Sequence, residues 1–230
     1  MVSVPKITQA TENYVKQVFL ISQESGNSCV PMGELAESLG VQAGTITTMI
    51  KRIAKQGWVD YEPRVGVTLT LTGKELALKV IRRHRLVELL LVKILGMDWG
   101  MIHEEAEALE HVISDAVLDR IDTVLGYPTV DPHGDPIPSS SGELESLART
   151  SLADCPVGAR TTLAQIRDQS PAFLSFCQSV GLLPGVILEV VGVDSVADAY
   201  TLRFESGERM TLGGNAAGKL FIQEVTMQDS

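Results

Sequence analysis

The residues best suited to chemistry in this chain are histidines and glutamates at helical spacing. His103-Glu-Glu-Ala-Glu107-Ala-Leu-Glu110-His111 contains no proline. At 100° per residue His103, Glu107, Glu110 and His111 fall at about 0°, 40°, −20° and 80°. On a continuous helix two imidazoles and two carboxylates would therefore share one face. His84 and Glu88 form a further pair one turn apart, so three of the four histidines accompany a same-face glutamate. Lys and Arg are absent from 94 to 119, and the Glu–Lys pairing of an ordinary surface helix is missing with them. Carboxylates crowded on one face repel, and a divalent cation would relieve that repulsion. The alternative is a solvated acidic face with the histidines packed or hydrogen-bonded.

Other chemistries fit less well. Glu107 stands where the HExxH zinc helix would need its second histidine, and Leu212-Gly-Gly-Asn215 lacks the spacing and lysine of a phosphate loop. A metal-dependent hydrolase using the Glu and His stripe around an activated water is the reading from a different class, and it lacks a candidate nucleophile or oxyanion loop. A regulator responsive to an organic ligand is a third.

Two long helices must carry this stripe. Thr72 can cap a proline-free helix reaching Leu95, and the spacing predicts a second from about Asp98 to Leu125. Upstream, Tyr14, Val15, Val18, Phe19 and Ile21 predict a helix over about 9–24, capped by Thr8 or Thr11. Met32, Leu35, Ala36 and Leu39 form one apolar stripe on a two-turn helix that Gly40 ends. Gly44 to Gln56 then turns Ile46, Met49, Ile50 and Ile53 inward, with Gly57 as the C-terminal stop.

Two short helices joined at Gly40 read as a helix-turn-helix. Trp58–Tyr61 and Val67–Leu71 around Glu62-Pro-Arg-Val-Gly66 add a hairpin with Arg64 near its tip, and together these make a winged helix. Such a helix fits the DNA major groove. Gln42, Thr45, Thr47 and Thr48 are the candidates for base edges, and Lys51, Arg52, Lys55 and Arg64 for phosphates. A winged helix used for protein contacts is the alternative.

Charge is distributed to match. The 230-residue chain carries a net −10, yet Met1 to Arg85 holds 11 Lys+Arg against 7 Asp+Glu. A basic head precedes an acidic body, so the total does not exclude nucleic acid. The 44% hydrophobic content describes a globular chain large enough for two or three cores. No membrane span or signal pattern is evident, which predicts a cytoplasmic protein. Cys29, Cys155 and Cys177 are too few and too scattered for a disulfide scaffold or thiolate zinc site.

Asp131-Pro-His-Gly-Asp-Pro-Ile-Pro138 ends the helical region in extended backbone. His133 is expected to have no ligand role there, and Pro138 to Gly142 reads as a flexible boundary. Beyond it, Val186–Val193, Ala199–Phe204, Arg209–Leu212 and Leu220–Val225 read as strands between Gly and Asp turns.

The combination of a winged helix, Arg83-His84-Arg85-Leu86-x-Glu88, the His103 to His111 segment and Asp131 to Pro138 resembles the diphtheria-toxin-repressor and manganese-transport-regulator family over nearly the whole chain. The resemblance implies a homodimeric, metal-activated repressor binding double-stranded operator DNA of metal-uptake genes, with no enzymatic activity. The implied fold is mainly α with small β: a winged helix over 1–72, a helical metal-binding and dimerisation domain over 73–140, a linker over 141–157, and a C-terminal SH3-like β-barrel over 158–230, opened by Leu182-Leu-Pro-Gly185.

Carried onto this sequence, the ancillary metal site is His84, Glu88 and His103, and the primary site is Glu107, Glu110, His111 and Asn13. The iron branch has Met at the Asn13 position and Cys at the Glu107 position, whereas the manganese branch has Asp and Glu. A sulfur-free donor set favours Mn²⁺, with Fe²⁺ second and Zn²⁺, Co²⁺ or Ni²⁺ as substitutes in vitro. Lys16 stands where short manganese regulators place another carboxylate, which implies two separate sites rather than a close two-metal cluster. In the iron branch Arg85 matches an anion-holding position, and Asp168 and Gln169 fall nearest the segment that lends ancillary ligands.

Overall fold

Local signals at each end determine where the N-terminal helices begin and stop. The structure, a computed structural model, describes residues 7–145 and 150–223. Helix α1 (Gln9–Ser25) starts at Thr8, whose side chain accepts from Thr11 N at 3.2 Å, and stops at Gly26, left-handed at φ 68°. A left-handed residue just past a helix costs glycine nothing and other residues about 1–2 kcal/mol. Helices α2 (Met32–Ser38) and α3 (Ala43–Lys55) follow, with Ile46, Ile50 and Ile53 of α3 buried as the spacing predicts. Strands β1 (Val59–Glu62) and β2 (Gly66–Leu69) pair antiparallel from Val59↔Leu69 to Glu62↔Gly66, and Arg64 takes a left-handed conformation at the hairpin tip.

Helix α4 (Leu71–Lys93) runs 23 residues. Its cap is Thr70 rather than Thr72: the Thr70 hydroxyl accepts from Gly73 N at 3.0 Å and donates to Gly57 O at 2.7 Å. Thr70→Ala is expected to lower stability by about 1 kcal/mol, at the middle of the range for lost N-caps. A melting temperature unchanged by the substitution would contradict that role.

The second predicted helix is in fact two, α5 (Ile102–Leu109) and α6 (Asp115–Val124). Val112 and Ile113 turn back onto Leu109 O, and Ser114 O then accepts from Leu118 N at 3.0 Å, starting α6. Glu110 and His111 therefore lie in the turn after α5 instead of on a continuous helical stripe.

The chain forms two compact units. The first comprises 1–84, 108–118 and 138–144, and its core joins Val15, Val18 and Phe19 of α1 to Leu35, Ile50, Val67 and Ile81. Each such fully buried side chain contributes about 1.5–3 kcal/mol of burial. Pro138 to Gly142, expected to be a flexible boundary, is bonded into this unit: Arg82 donates to Pro138 O at 2.7 Å and Gly142 N to Ser139 O at 3.0 Å.

The second unit comprises 85–107, 119–137 and 145–230. Its antiparallel sheet has the order β3 (Thr150–Ser151), β8 (Leu220–Ile222), β4 (Arg160–Ile166), β5 (Ile187–Asp194), β6 (Ala199–Phe204) and β7 (Arg209–Gly213). Among the described residues β3 and β7 remain edges, so the expected barrel is an open six-stranded sheet. Helices α7 (Pro171–Ser179) and α8 (Gly214–Ala217) complete it, over a core of Leu163, Leu174, Leu188 and Leu202 with Trp99. Part of the expected 141–157 linker and the end of the predicted last strand, at Glu224 and Val225, lie outside the described residues. The three cysteines are free, and among the described residues no helix is long and apolar enough to cross a membrane.

Candidate metal centre

In the first unit a buried carboxylate, Glu110, meets two of the other predicted ligands, His84 and His111. Glu110, 0% exposed, has Oε2 2.6 Å from His84 Nδ1 and Oε1 3.3 Å from His111 Nε2. Lys16 from α1, itself buried, donates to both oxygens at 2.8 and 3.0 Å. Buried carboxylates are tolerated only when paired in this way. His111 is aimed by a residue the sequence reading missed: its Nδ1 lies 2.7 Å from Glu12 Oε2, and Arg83 approaches Glu12 at 3.5 Å. Donation of Nδ1–H to Glu12 leaves Nε2 with its lone pair, the arrangement in which carboxylates orient metal-binding histidines.

Two buried atoms bear on whether a cation fits here. Asn13 Oδ1 and His111 Nε2 are buried without a hydrogen-bond partner among the described residues. Unsatisfied buried acceptors are uncommon because each costs about 1–3 kcal/mol. Both belong to the predicted primary set, and both are donors a divalent ion accepts. Arg83 also bonds Asp115 at 2.8 Å and thereby lowers the Asp115 pKa.

The second unit holds another acidic group. Helix α4 carries Glu88 one turn after His84, and Glu88 Oε1 lies 3.4 Å from His103 Nδ1. Glu107, half-buried, lies 3.9 Å from His103 Nε2. Glu88 is also grouped with Asp131 and His133, with one potential ligand atom from each residue within 4.8 Å of the others. All three are buried. His133, expected to have no ligand role, is 1% exposed and stacks edge-on against Trp99 at 5.3 Å. Asp131 Oδ1 accepts from His133 N and Asp135 N, making a tight turn of the Asp-Pro-His-Gly-Asp segment. Burial, with Asp135 and Glu88 nearby, pushes the Asp131 pKa well up against the opposing pull of Arg85. A buried carboxyl that resists ionisation is the kind of group a cation stabilises.

The remaining carry-overs separate. Gln169 donates to Asp135 Oδ2 at 2.5 Å and Gln165 to Asp135 Oδ1, so the sheet segment reaches the Asp131 turn through Asp135. Asp168 instead pairs with Lys219 at 2.7 Å, and that hydrogen bond lowers its pKa to about 2. Its stabilising contribution is present above the unfolded value of about 3.9 and lost as pH falls through about 2. Partial exposure limits it to about 0.2–1 kcal/mol. Asp168→Asn should cost stability at pH 7 and nothing below pH 2; an equal cost at both would contradict this. Arg85, matched to an anion-holding position, donates to Pro136 O at 2.5 Å and lies 3.6 Å from Asp131.

On the basic head, Gln42 is the N-cap of α3 and is exposed with Thr45, Thr48, Lys51, Arg52, Lys55 and Arg64; Thr47 is half-buried. Thr47 and Thr48 donate their hydroxyls to Ala43 O and Gly44 O, leaving a methyl and a lone pair for outside contacts. Among the described residues no ion pair engages Lys51, Arg52, Lys55 or Arg64.

A helix-turn-helix with a wing, joined to buried clusters of carboxylate and imidazole, defines a metal-responsive DNA-binding regulator. Comparison with known proteins gives the family. Residues 6–67 match the iron dependent repressor N-terminal DNA binding domain, 70–139 its metal binding and dimerisation domain, and 150–224 the FeoA domain. A solved manganese-dependent transcriptional repressor in complex with manganese superposes with TM-score 0.84 at 37% identity, covering 94% of this chain and 100% of that one. The manganese regulator SloR follows at TM-score 0.70 and 29% identity, covering 93% and 98%. The diphtheria toxin repressor of Corynebacterium efficiens is 35% identical over 133 residues, 57% of this chain and 56% of that relative's length. The chain belongs to the diphtheria-toxin-repressor family of metal-dependent transcriptional repressors, in its long form with a C-terminal FeoA domain. Its relatives are repressors rather than enzymes, which removes the hydrolase reading.

Proposed function

We propose that the chain is a manganese-responsive repressor, acting as a homodimer on the operators of metal-uptake genes. The observation that carries the metal preference is that Glu110 and His111 of the predicted primary set meet in the first unit, a set of carboxylate, imidazole and the Asn13 amide oxygen without sulfur. Cys29 lies in the connection between α1 and α2, beside Gly66 of the wing, and Cys155 and Cys177 lie in the sheet core, so no thiolate competes. Oxygen-rich sets suit Mn²⁺ over softer late metals, with Fe²⁺ the alternative. The manganese named for the 37%-identical neighbour supports the same choice.

Glu110, His111 and Asn13 hold the ion of the first unit in this reading, and Glu88, Asp131 and His133, with His103 close to Glu88, hold a second. Bound there, a divalent cation supplies charge neutralisation and coordination positions for oxygen and imidazole. Asn13 is the member on α1, whose Val15, Val18 and Phe19 share a core with α3. Fixing α1 therefore fixes the helix that meets DNA, selecting a DNA-competent arrangement from those the free chain samples. Anaerobic titration of Mn²⁺, Fe²⁺ and Zn²⁺ against binding to the chain's own promoter region tests the reading. Stimulation by Mn²⁺ at the lowest free concentration supports it; metal-independent binding, or response to an organic ligand alone, overturns it.

A further inference from the structure

Lys16 is the least expected residue in the first unit. Lysine is almost never fully buried without a partner, yet here it is 6% exposed with its Nζ on both oxygens of Glu110 and 3.2 Å from His84 Nδ1. Three residues earlier on the same face of α1 stands Asn13, whose buried Oδ1 has no hydrogen-bond partner among the described residues. Helix α1 thus carries an ammonium seated on the Glu110 carboxylate and, three residues earlier, the buried carbonyl oxygen of a predicted ligand.

We propose that Lys16 is a tethered cation that fills the Glu110 carboxylate in the metal-free protein, and that a divalent ion loads by displacing it. This rests on the reading that Glu110 and His111 bind metal. An ion ligated by Glu110 lies about 2–2.6 Å from a carboxylate oxygen. Lys16 Nζ already lies 2.8 Å from one of those oxygens and 3.0 Å from the other. The two cations would be crowded about one buried carboxylate, where like charges repel several times more strongly than in water. Loading is therefore an exchange, and Lys16 sets the metal concentration at which it occurs. A lysine serving only to neutralise a buried carboxylate would instead support the site, and its loss would leave metal affinity unchanged or lower.

The test measures free Mn²⁺ by electron paramagnetic resonance in titrations of the full chain without DNA, following the binding event that Glu110→Gln removes. Lys16→Met and Lys16→Gln are expected to tighten that event by about tenfold or more, because the competing charge is gone. Lys16→Arg, which keeps the charge, is expected to stay within about threefold of the parent chain. Neutral variants that both bind within about threefold of the parent, or more weakly, would overturn the tethered cation while leaving the metal reading intact. A parent isotherm indifferent to Glu110→Gln would overturn both.

Discussion

Glu110→Gln should remove metal-stimulated DNA binding and lower the stability of the metal-free chain at the same time. The carboxylate is 0% exposed and in contact with Lys16, His84 and His111. Gln preserves volume but takes away the charge that a divalent ion needs, and Mn²⁺ affinity at this group should fall by about 100-fold or more, beyond the 10–100-fold typical of losing an outer-shell partner. The substitution also strands the Lys16 ammonium, and breaking a buried pair from one side costs about 3–5 kcal/mol. Adding Lys16→Met should recover much of that stability without restoring the affinity, since the two residues share one interaction. Thermal melts with Mn²⁺ isotherms separate these effects. A Gln variant that keeps the parent's Mn²⁺ midpoint would place the metal elsewhere.

Gly134→Ala should be nearly as damaging, through the second unit. Gly134 is left-handed at φ 87°, and a Cβ there would meet Ala164 O at 1.9 Å. Backbone strain costs about 1–3 kcal/mol, and a contact this close to a main-chain oxygen must also push the turn away from β4. That turn is fastened on both sides of the glycine: His133 O accepts from Ile166 N at 2.9 Å, and Asp135 takes Gln165 and Gln169. A loss of about 3 kcal/mol or more is expected. Metal binding at Glu88, Asp131 and His133 should weaken by about tenfold or more, as a misplaced ligand does, while the event at Glu110 persists. A variant melting with the parent and keeping both binding events would show that the turn does not depend on this close approach.

The elements around these sites differ in how far the residue order reveals them. The recognition helix, the wing and α1 were legible because caps, glycine stops and apolar spacing are local, and Thr8, Gly26, Ile46 and Ile50 act as their types predict. The His103 to His111 stripe was legible in composition but not in geometry. It assumed an unbroken helix, whereas Val112, Ile113 and Ser114 end α5 and place Glu110 and His111 in a turn. His133 stands among prolines, so its neighbours in the chain suggest extended backbone and no ligand role. Its burial comes from β4 and Trp99, which no nearby residue announces. Glu12 was missed for a similar reason, since its partner His111 is 99 positions away. A signal existed for Lys16 in the departure from the family's carboxylate, but its contact with Glu110 required the packing of α1.

The proposed repressor couples metal binding to DNA binding within one chain. Thermodynamic linkage makes that coupling measurable as a closed cycle, because the factor by which Mn²⁺ tightens promoter DNA must equal the factor by which DNA tightens Mn²⁺. Fluorescence anisotropy of labelled promoter DNA, with and without Mn²⁺, gives one side; Mn²⁺ titrations with and without that DNA give the other. The expected result is the same enhancement on both sides, about tenfold or more, and its loss in Glu110→Gln. Equal DNA affinity in the presence and absence of Mn²⁺ would contradict it.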